Sequence, residues 1–437
     1  MDASGAFLFL RITRKPLGRL LHAAEAKGTL SKVGKHQFSS ASGGVLLRVA
    51  LFTDTYLPEV NGAARALGRW VDYLQSNGIP CKVFAPSVPG ADAEAERGQV
   101  ERFAGVRFPL YPDVRLAVPN VRRAERILRE FRPTIVHVAT TFGMGLAGRR
   151  LAGKLNVPLI ASYHTFWDQY LANYGFGALV GVQWRIMRWF HEPCVRVLVP
   201  SEAAKTHLER HGMQRLGVWS RGVDTGRFRP LPDAVRRREA LRRLGADPDK
   251  FTLLYVGRLA REKSVDMLLT AYELLDESLK ERTQLLLAGG GPMFSKLKRI
   301  CRNPSVRFLG FRQGEELSEL YGSADLFVFP SATETFGNVV LEAMASGLPV
   351  IGASAGGVGG IVRHEETGWL CAPGDAGAFR DAMARLIADD ALRRRMAANA
   401  LAYARTQTWD SVHAALLRCY ADAISDAESA GGRRHIS

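Results

Sequence analysis

The chain has 437 residues, 47% of them hydrophobic and 23% charged, with 43 glycines, a composition that excludes a disordered or fibrous class and fits a globular α/β protein. Its length allows two or three domains with ample cores, and no apolar run approaches the roughly 20 residues that span a bilayer, which argues against an integral membrane protein. A net charge of +16 and a pI near 9.9 imply an anionic partner: nucleic acid, membrane surface or phosphorylated ligand. The sequence carries no helix-turn-helix signature, zinc finger or RNP-type aromatic motif, which ranks nucleic acid last. Five scattered cysteines (Cys81, Cys194, Cys301, Cys371, Cys419) show no paired spacing; they argue against zinc and a disulfide framework and fit a reducing cytoplasm.

Residues 1–44 are basic with a Ser/Gly-rich end and are expected to be a disordered extension, with a transit-like leader, a basic membrane arm or a mis-assigned start as alternatives. Order is expected from Val45, where V-L-L-R-V-A-L-F-T-D reads as a buried parallel strand. That strand runs into P-E-V-N-G and a helical pattern over 63–75, so Gly62 lies where backbone can approach a phosphate. Strand-like runs recur at 81–85, 134–139, 159–163 and 195–199, the alternation of a doubly wound domain. After the turn-rich G-V-D-T-G-R-F-R-P the alternation starts afresh, with strands in F-T-L-L-Y-V-G, Q-L-L-L-A, V-R-F-L-G-F, D-L-F-V-F-P and P-V-I-G-A. The expected architecture is therefore α/β, two Rossmann-like doubly wound domains facing a cleft, over 45–228 and 229–408. A last helix over 409–428 crosses back to the first domain, and 429–437 form a tail.

Chemistry concentrates at strand ends. Ser331–Gly347, S-A-T-E-T-F-G-N-V-V-L-E-A-M-A-S-G, follows a buried strand, and its helix is expected to start near Gly337 or Asn338. Glu334 and Glu342 then flank the free N–H groups of a helix start, an arrangement suited to a diphosphate carrying hydroxyls at both ends. Arg258 and Lys263 in V-G-R-L-A-R-E-K can grip a diphosphate from the facing strand end. His164 ends another strand, in S-Y-H-T. The Gly289–Pro292 run breaks the G-x-G-x-x-G pattern and reads as a tight turn near a nucleotide; the glycine-rich 354–360 stretch reads as a ligand-approaching loop. Asp247-Pro248-Asp249 is formally D-x-D but sits in a charged turn, and no cluster with metal-ligand spacing is apparent elsewhere. Two helices, V-R-R-A-E-R-I-L-R-E-F-R at 121–132 and Q-W-R-I-M-R-W-F at 183–190, mix basic and apolar residues; an anionic membrane face and simple core packing are equally compatible with them.

Taken together these motifs resemble the retaining glycosyltransferases of the glycosyltransferase-B fold, the large group 1 family, from Val45 to about Thr408. The most specific part is the E-x7-E pair with F-G-N-V-V-L-E-A-M-A-S-G-L-P-V, beside V-G-R-L-A-R-E-K, V-P-S-E and S-R-G-V-D. The resemblance implies Glu334 on the donor sugar, Glu342 on the ribose, and Arg258 and Lys263 on the diphosphate. It further implies Gly62 as the phosphate-loop glycine, His164 as the strand-end histidine, and backbone at Phe336, Gly337, Asn338 and Val339 around sugar and diphosphate. It also implies an acceptor-side first domain and a nucleotide-sugar-binding second one, metal-independent transfer with no cofactor, and retention at the anomeric carbon. P-E-V-N-G with S-Y-H-T-F-W-D-Q-Y-L-A-N-Y-G is similar to lipid-directed α-mannosyl or α-glucosyl transferases. That implies GDP-mannose ahead of UDP-glucose as donor, a glycolipid or cell-envelope glycan as acceptor, and a cytoplasmic protein peripheral to the membrane. Asn61-Gly62 and Gly360 depart from the family's usual two glycines and glutamate. An epimerase or hydrolase on the same fold, or a non-catalytic basic membrane-binding module, are the alternatives.

Overall fold

The structure is a computed structural model and describes residues 46–434 apart from 60, 93, 95, 109–110 and 169–174. The expected extension over 1–44 lies outside the described residues. The strands are β1 (Val49–Phe52), β2 (Cys81–Pro86), β3 (Val100–Phe103), β4 (Gly105–Phe108), β5 (Tyr111–Ala117), β6 (Ile135–Val138), β7 (Leu159–Ser162), β8 (Arg196–Val199) and β9 (Leu216–Val218). All but the antiparallel pair β4 and β5 form one sheet in the order β3-β2-β1-β6-β7-β8-β9. The second sheet comprises β10 (Phe251–Val256), β11 (Thr283–Ala288), β12 (Val306–Gly310), β13 (Leu326–Phe329), β14 (Val350–Ala353) and β15 (Gly368–Cys371), in the order β12-β11-β10-β13-β14-β15. Both sheets carry doubly wound connectivity, as the strand–helix alternation predicts. Strands such as V-A-L-F and L-F-V-F are buried on both faces, which is why they read as unbroken apolar runs and not as alternating ones.

The described residues group into two compact units. The first takes residues up to Ser162, Phe190–Val197 and those from Leu416 on. Phe52 and Phe84 stack there at 4.3 Å, and Asp54, just past β1, is buried among donors: the Thr140 hydroxyl at 2.6 Å and the Ala117 and Met144 amides at 3.0 and 3.1 Å. The last helix, Trp409–Arg434, contributes Tyr420 to this unit. Its hydroxyl accepts from Trp70 Nε1 at 3.0 Å and lies 2.6 Å from His137 Nδ1, while His137 Nε2 lies 2.8 Å from Ser162 Oγ. Trp70, His137 and Tyr420 are all fully buried. A chain of partners this deep is costly to interrupt, because each unpaired buried group loses its hydration without replacement.

The second unit takes Tyr163–Trp189 and Leu198–Ala415, with its main core around β10, β11, β13 and β14. In the D-x-D turn, the Asp249 amide donates to Asp247 Oδ1 at 2.9 Å, and Asp249 pairs with Arg238 at 2.6 Å. Both carboxylates have local structural uses.

Of the two basic helices, Val121–Phe131 buries Ala124, Ile127 and Leu128. Val180–His191 divides its side chains by face: Trp184, Met187 and Phe190 are buried, whereas Val182, Ile186 and Trp189 are half-exposed and flanked by exposed Arg185 and Arg188. Among the described residues no helix is long and apolar enough to cross a membrane.

Candidate active site

In the second sheet the order reverses between β10 and β13, the switch point at whose carboxyl end α/β proteins bind ligands. The loop after β10 carries Arg258 and is held on three sides. Tyr255 Oη donates to the Arg258 carbonyl at 3.0 Å, the Gly257 amide donates to Ala288 O at 3.0 Å, and the Leu259 amide to Gly290 O at 2.8 Å. The triple glycine has its use here. A Cβ on Gly289 would lie 1.8 Å from the Gly257 carbonyl oxygen and one on Gly291 2.5 Å from that of Leu259, both at positive φ. Gly289 and Gly291 of the expected tight turn thus support the Arg258 loop from behind. Burial draws the Arg258 guanidinium down from its ordinary value, opposed by the Glu262 carboxylate.

A 3₁₀ turn, Arg261–Lys263, brings Lys263 to the loop after β13. Lys263 Nζ donates to Glu334 Oε1, Ser331 Oγ donates to the same oxygen at 3.2 Å, and Thr333 Oγ1 donates to the Glu262 carbonyl at 3.2 Å. The Lys263 and Glu334 side chains are 16% and 19% exposed, so the pair is poorly hydrated yet reachable by a ligand. Burial first, then the Glu334 and Glu262 carboxylates, raise the Tyr255 phenol well above its usual value, so it stays a neutral donor beneath this loop.

The following helix is Asn338–Ala345, with Gly337 as its N-cap at φ 104°. The Val340 amide donates to the Gly337 carbonyl at 3.0 Å, and the amides of Asn338 and Val339 precede the first helical carbonyl that could accept from them. The 354–360 stretch, expected as a loop, instead contains the short helix Gly356–Ile361. Its glycines let this helix press against the 334–336 backbone: the Gly357 amide donates to the Glu334 carbonyl at 2.7 Å, and a Cβ on Gly357 would lie 2.3 Å from the Phe336 carbonyl oxygen. Glu342 follows a different partner from Glu334, accepting from Tyr321 Oη at 3.1 Å.

His164, just past β7, belongs to the same unit. Its carbonyl accepts from Thr335 Oγ1 at 3.2 Å, and the Thr335 carbonyl accepts from Ser201 Oγ at 2.7 Å; Ser201 also caps the Glu202–Arg210 helix. Arg221 Nη2 donates to His164 Nδ1 at 3.0 Å, and Nη1 donates to the Trp219 and Ser220 carbonyls at 2.9 and 3.1 Å. Since a guanidinium only donates, His164 Nδ1 carries its lone pair toward Arg221 and its Nε2 carries the proton. Burial pulls Arg221 down to about 10, still protonated at neutral pH. Arg221 was not a candidate from the sequence; its signal was the S-R-G-V-D stretch, read only as a family mark. Gly62 lies in the first unit as the first residue of helix Gly62–Ser76, capped by Asn61, whose Oδ1 accepts from the Ala64 amide at 2.8 Å.

Two doubly wound sheets, one with a lysine–glutamate pair and a helix start at its switch point, form a site suited to a diphosphate that carries hydroxyls. Residues 60–227 match the family described as Glycosyltransferase Family 4 and residues 236–402 the one described as Glycosyl transferases group 1. A GDP-mannose-dependent alpha-mannosyltransferase of Corynebacterium glutamicum is 34% identical over 384 residues, covering 87% of this chain and 90% of that protein. An alpha-monoglucosyldiacylglycerol synthase of Streptococcus pneumoniae is 30% identical, covering 70% of each. The sucrose-phosphate synthase structure from Thermosynechococcus elongatus superposes with a TM-score of 0.73 at 22% identity, over 87% of this chain and all of that one. The chain belongs to the group 1 glycosyl transferases.

Proposed function

We propose that the protein transfers mannose from GDP-mannose to a hydroxyl of a glycolipid, with retention at the anomeric carbon and without a metal ion. The single observation that carries the transfer chemistry is the Lys263–Glu334 pair at the β10/β13 switch point. When the donor enters, Lys263 turns to its diphosphate and Glu334 to the hydroxyls of its sugar, so neither charge is left without a partner in a poorly hydrated site. Arg258 adds a second cation on the diphosphate, and the backbone of Phe336, Gly337, Asn338 and Val339 offers the helix-start donors. Glu342 receives the ribose hydroxyls.

The bond from the anomeric carbon to the diphosphate oxygen breaks, and the acceptor oxygen bonds to the same face. The acceptor proton passes to a phosphate oxygen of the leaving GDP. Arg258, Lys263 and the helix start stabilise the charge on that leaving group, and His164 donates from Nε2 to the sugar or diphosphate. The donor reading is supported by the mannosyltransferase relative, and the acceptor reading by the relative named for a glucosyldiacylglycerol. The half-exposed Val182, Ile186 and Trp189 beside Arg185 and Arg188 suit an anionic lipid surface.

The test is transfer from radiolabelled GDP-mannose to lipid extract, with UDP-glucose in parallel. Product with an α-linkage is expected, abolished by Glu334→Ala and by Lys263→Ala in protein that still melts cooperatively. Strict dependence on added Mg²⁺ or Mn²⁺ would overturn the metal-free mechanism, and sugar release without any acceptor would favour a hydrolase.

A further inference from the structure

Away from the residues assigned to transfer, Asp168, His207 and His211 bring a carboxylate oxygen and two imidazole nitrogens within 4.8 Å of one another. His207 lies in the Glu202–Arg210 helix and His211 caps its end, four residues apart, so both rings fall on one face. His207 Nε2 stands 2.8 Å from Asp168 Oδ2. His211 Nδ1 donates to the His207 carbonyl at 2.8 Å, which leaves its Nε2 lone pair for a ligand. A ring N–H held by a carbonyl is the outer support that metal-bound histidines ordinarily have. The rings are walled in: Trp184 stacks on His211 at 4.0 Å between centroids and 9° between planes, and Phe166 meets His207 edge-on at 4.8 Å. Asp168 is buried, while the His207 side chain keeps 24% of its surface exposed, an entry route from solvent.

We propose that Asp168, His207 and His211 bind one divalent transition-metal ion of the zinc class. Two imidazoles and a carboxylate are a borderline-soft donor set that suits Zn²⁺ and its neighbours and disfavours Ca²⁺ or Mg²⁺. Tetrahedral Zn²⁺ with ligand bonds near 2.0–2.1 Å wants ligand atoms roughly 3.3 Å apart, so side-chain rotations of about 1 Å close the site. On binding, the Asp168–His207 hydrogen bond is exchanged for two metal–ligand bonds, the neutral His207 ring carries its one proton on Nδ1 in place of Nε2, and water fills the fourth position. The ion's role is to stabilise the fold. Asp168 follows His164 by four residues, and the helix holding His207 begins at Ser201, which grips the Thr335 carbonyl. A metal there would tie the His164 loop to that helix without touching the transfer chemistry. The sequence hides the site, because its carboxylate lies 39 residues from His207; only the H-x-x-x-H spacing marks it.

The test uses the full chain without an affinity tag. Equilibrium dialysis against Zn²⁺ should give one ion per chain and a raised melting temperature, with no response to Mg²⁺ or Ca²⁺. Co²⁺ should quench tryptophan fluorescence competitively with Zn²⁺. Trp184→Phe should abolish that quench while leaving Zn²⁺ binding intact, which locates the ion. Asp168→Asn and His211→Gln should each weaken binding by roughly tenfold or more. EDTA should lower the melting temperature and leave the transfer rate unchanged well below it. No stoichiometric Zn²⁺ on the wild-type chain, or affinity undiminished in the His207→Gln/His211→Gln double variant, would overturn the proposal.

Discussion

Arg221 offers the sharpest test of how this site is built, because the cation is proposed to act through another residue. It is 4% exposed, and its guanidinium meets His164 Nδ1 at 3.0 Å and two carbonyls at 2.9 and 3.1 Å. Replacing it with methionine preserves much of the apolar volume against Trp219 and removes all three donations. A hydrogen bond from a charged group contributes about 1.5–3 kcal/mol, and burial here leaves little solvent to replace it. If that energy is spent holding the His164 ring with Nε2 toward the substrate, Arg221→Met should lower kcat by about ten- to hundredfold, since 1.4 kcal/mol is a factor of ten. The donor KM should change little. The decisive measurement is a double-mutant cycle: in a His164→Ala background, the same Arg221→Met change should cost less than about twofold in kcat. Arg221→Lys, which keeps the charge but not the forked geometry, should recover only part of the rate. An equal loss in both backgrounds would show that Arg221 serves the scaffold alone and that its contact with His164 is incidental. Urea unfolding of each variant separates the two effects, because the uncovered Trp219 and Ser220 carbonyls should lower stability whether or not His164 is present.

Three further outcomes follow from other parts of the chain. Tyr321→Phe removes the donor to Glu342 Oε2 and should weaken donor binding by roughly tenfold, about the contribution of one hydrogen bond to a charged acceptor, read by titration with GDP. Glu342 oriented without Tyr321 would leave the affinity unchanged and sink this reading. Tyr420→Phe strips the hydroxyl shared by Trp70 and His137; a loss of about 1–3 kcal/mol of stability is expected by denaturant titration, and a neutral effect would contradict the buried network. Asp54 supplies the pH dependence. Burial raises its carboxyl above 3.8, only partly offset by its hydrogen bonds, so between 3.8 and the raised value the folded chain holds a proton that the unfolded chain has lost. Stability from this group is full below 3.8 and declines as pH rises through that window. Relative to Asp54→Asn, the wild type should therefore gain stability on acidification from neutral pH, and a difference that shrinks on acidification would refute the assignment.

The legible parts of the chain are those whose physics is local. The strands β1, β10, β11 and β13 announce themselves as apolar runs because both faces are buried, and the helix from Asn338 is marked by Gly337 before it and Gly347 after it. What the pattern missed is short or weakly apolar. β3 (V-E-R-F) and β9 (L-G-V) sit at the two edges of their sheet, β15 (G-W-L-C) at one edge of the other, and β4 and β5 form their own ribbon. A strand half-exposed at an edge has no need of a continuous apolar sequence, so hydrophobic periodicity alone passes over it.

The same distinction divides the site. Glu334, Lys263 and Arg258 stand in loops right after strands, where position along the sequence already implies position at the carboxyl end of a sheet. Arg221, Tyr321 and Ser201 reach other members of the site from far along the chain, 57 residues from His164, 21 from Glu342 and 134 from Thr335. No spacing rule connects such pairs, because their adjacency is a product of sheet order. The glycine stretches have a use that the sequence reading does not include. Both runs are conspicuous in sequence and read as approaching a ligand; the missing Cβ atoms of Gly289 and Gly291 make room for backbone at Gly257 and Leu259, and those of Gly356 and Gly357 for backbone at Glu334 and Phe336. A glycine-rich run at a switch point therefore signals close backbone approach, and only the partner's identity tells whether that backbone is substrate cradle or the support behind it. Here both runs brace the two loops that carry Arg258 and Glu334, so replacing Gly357 with alanine should displace the Glu334 loop as surely as a mutation within it.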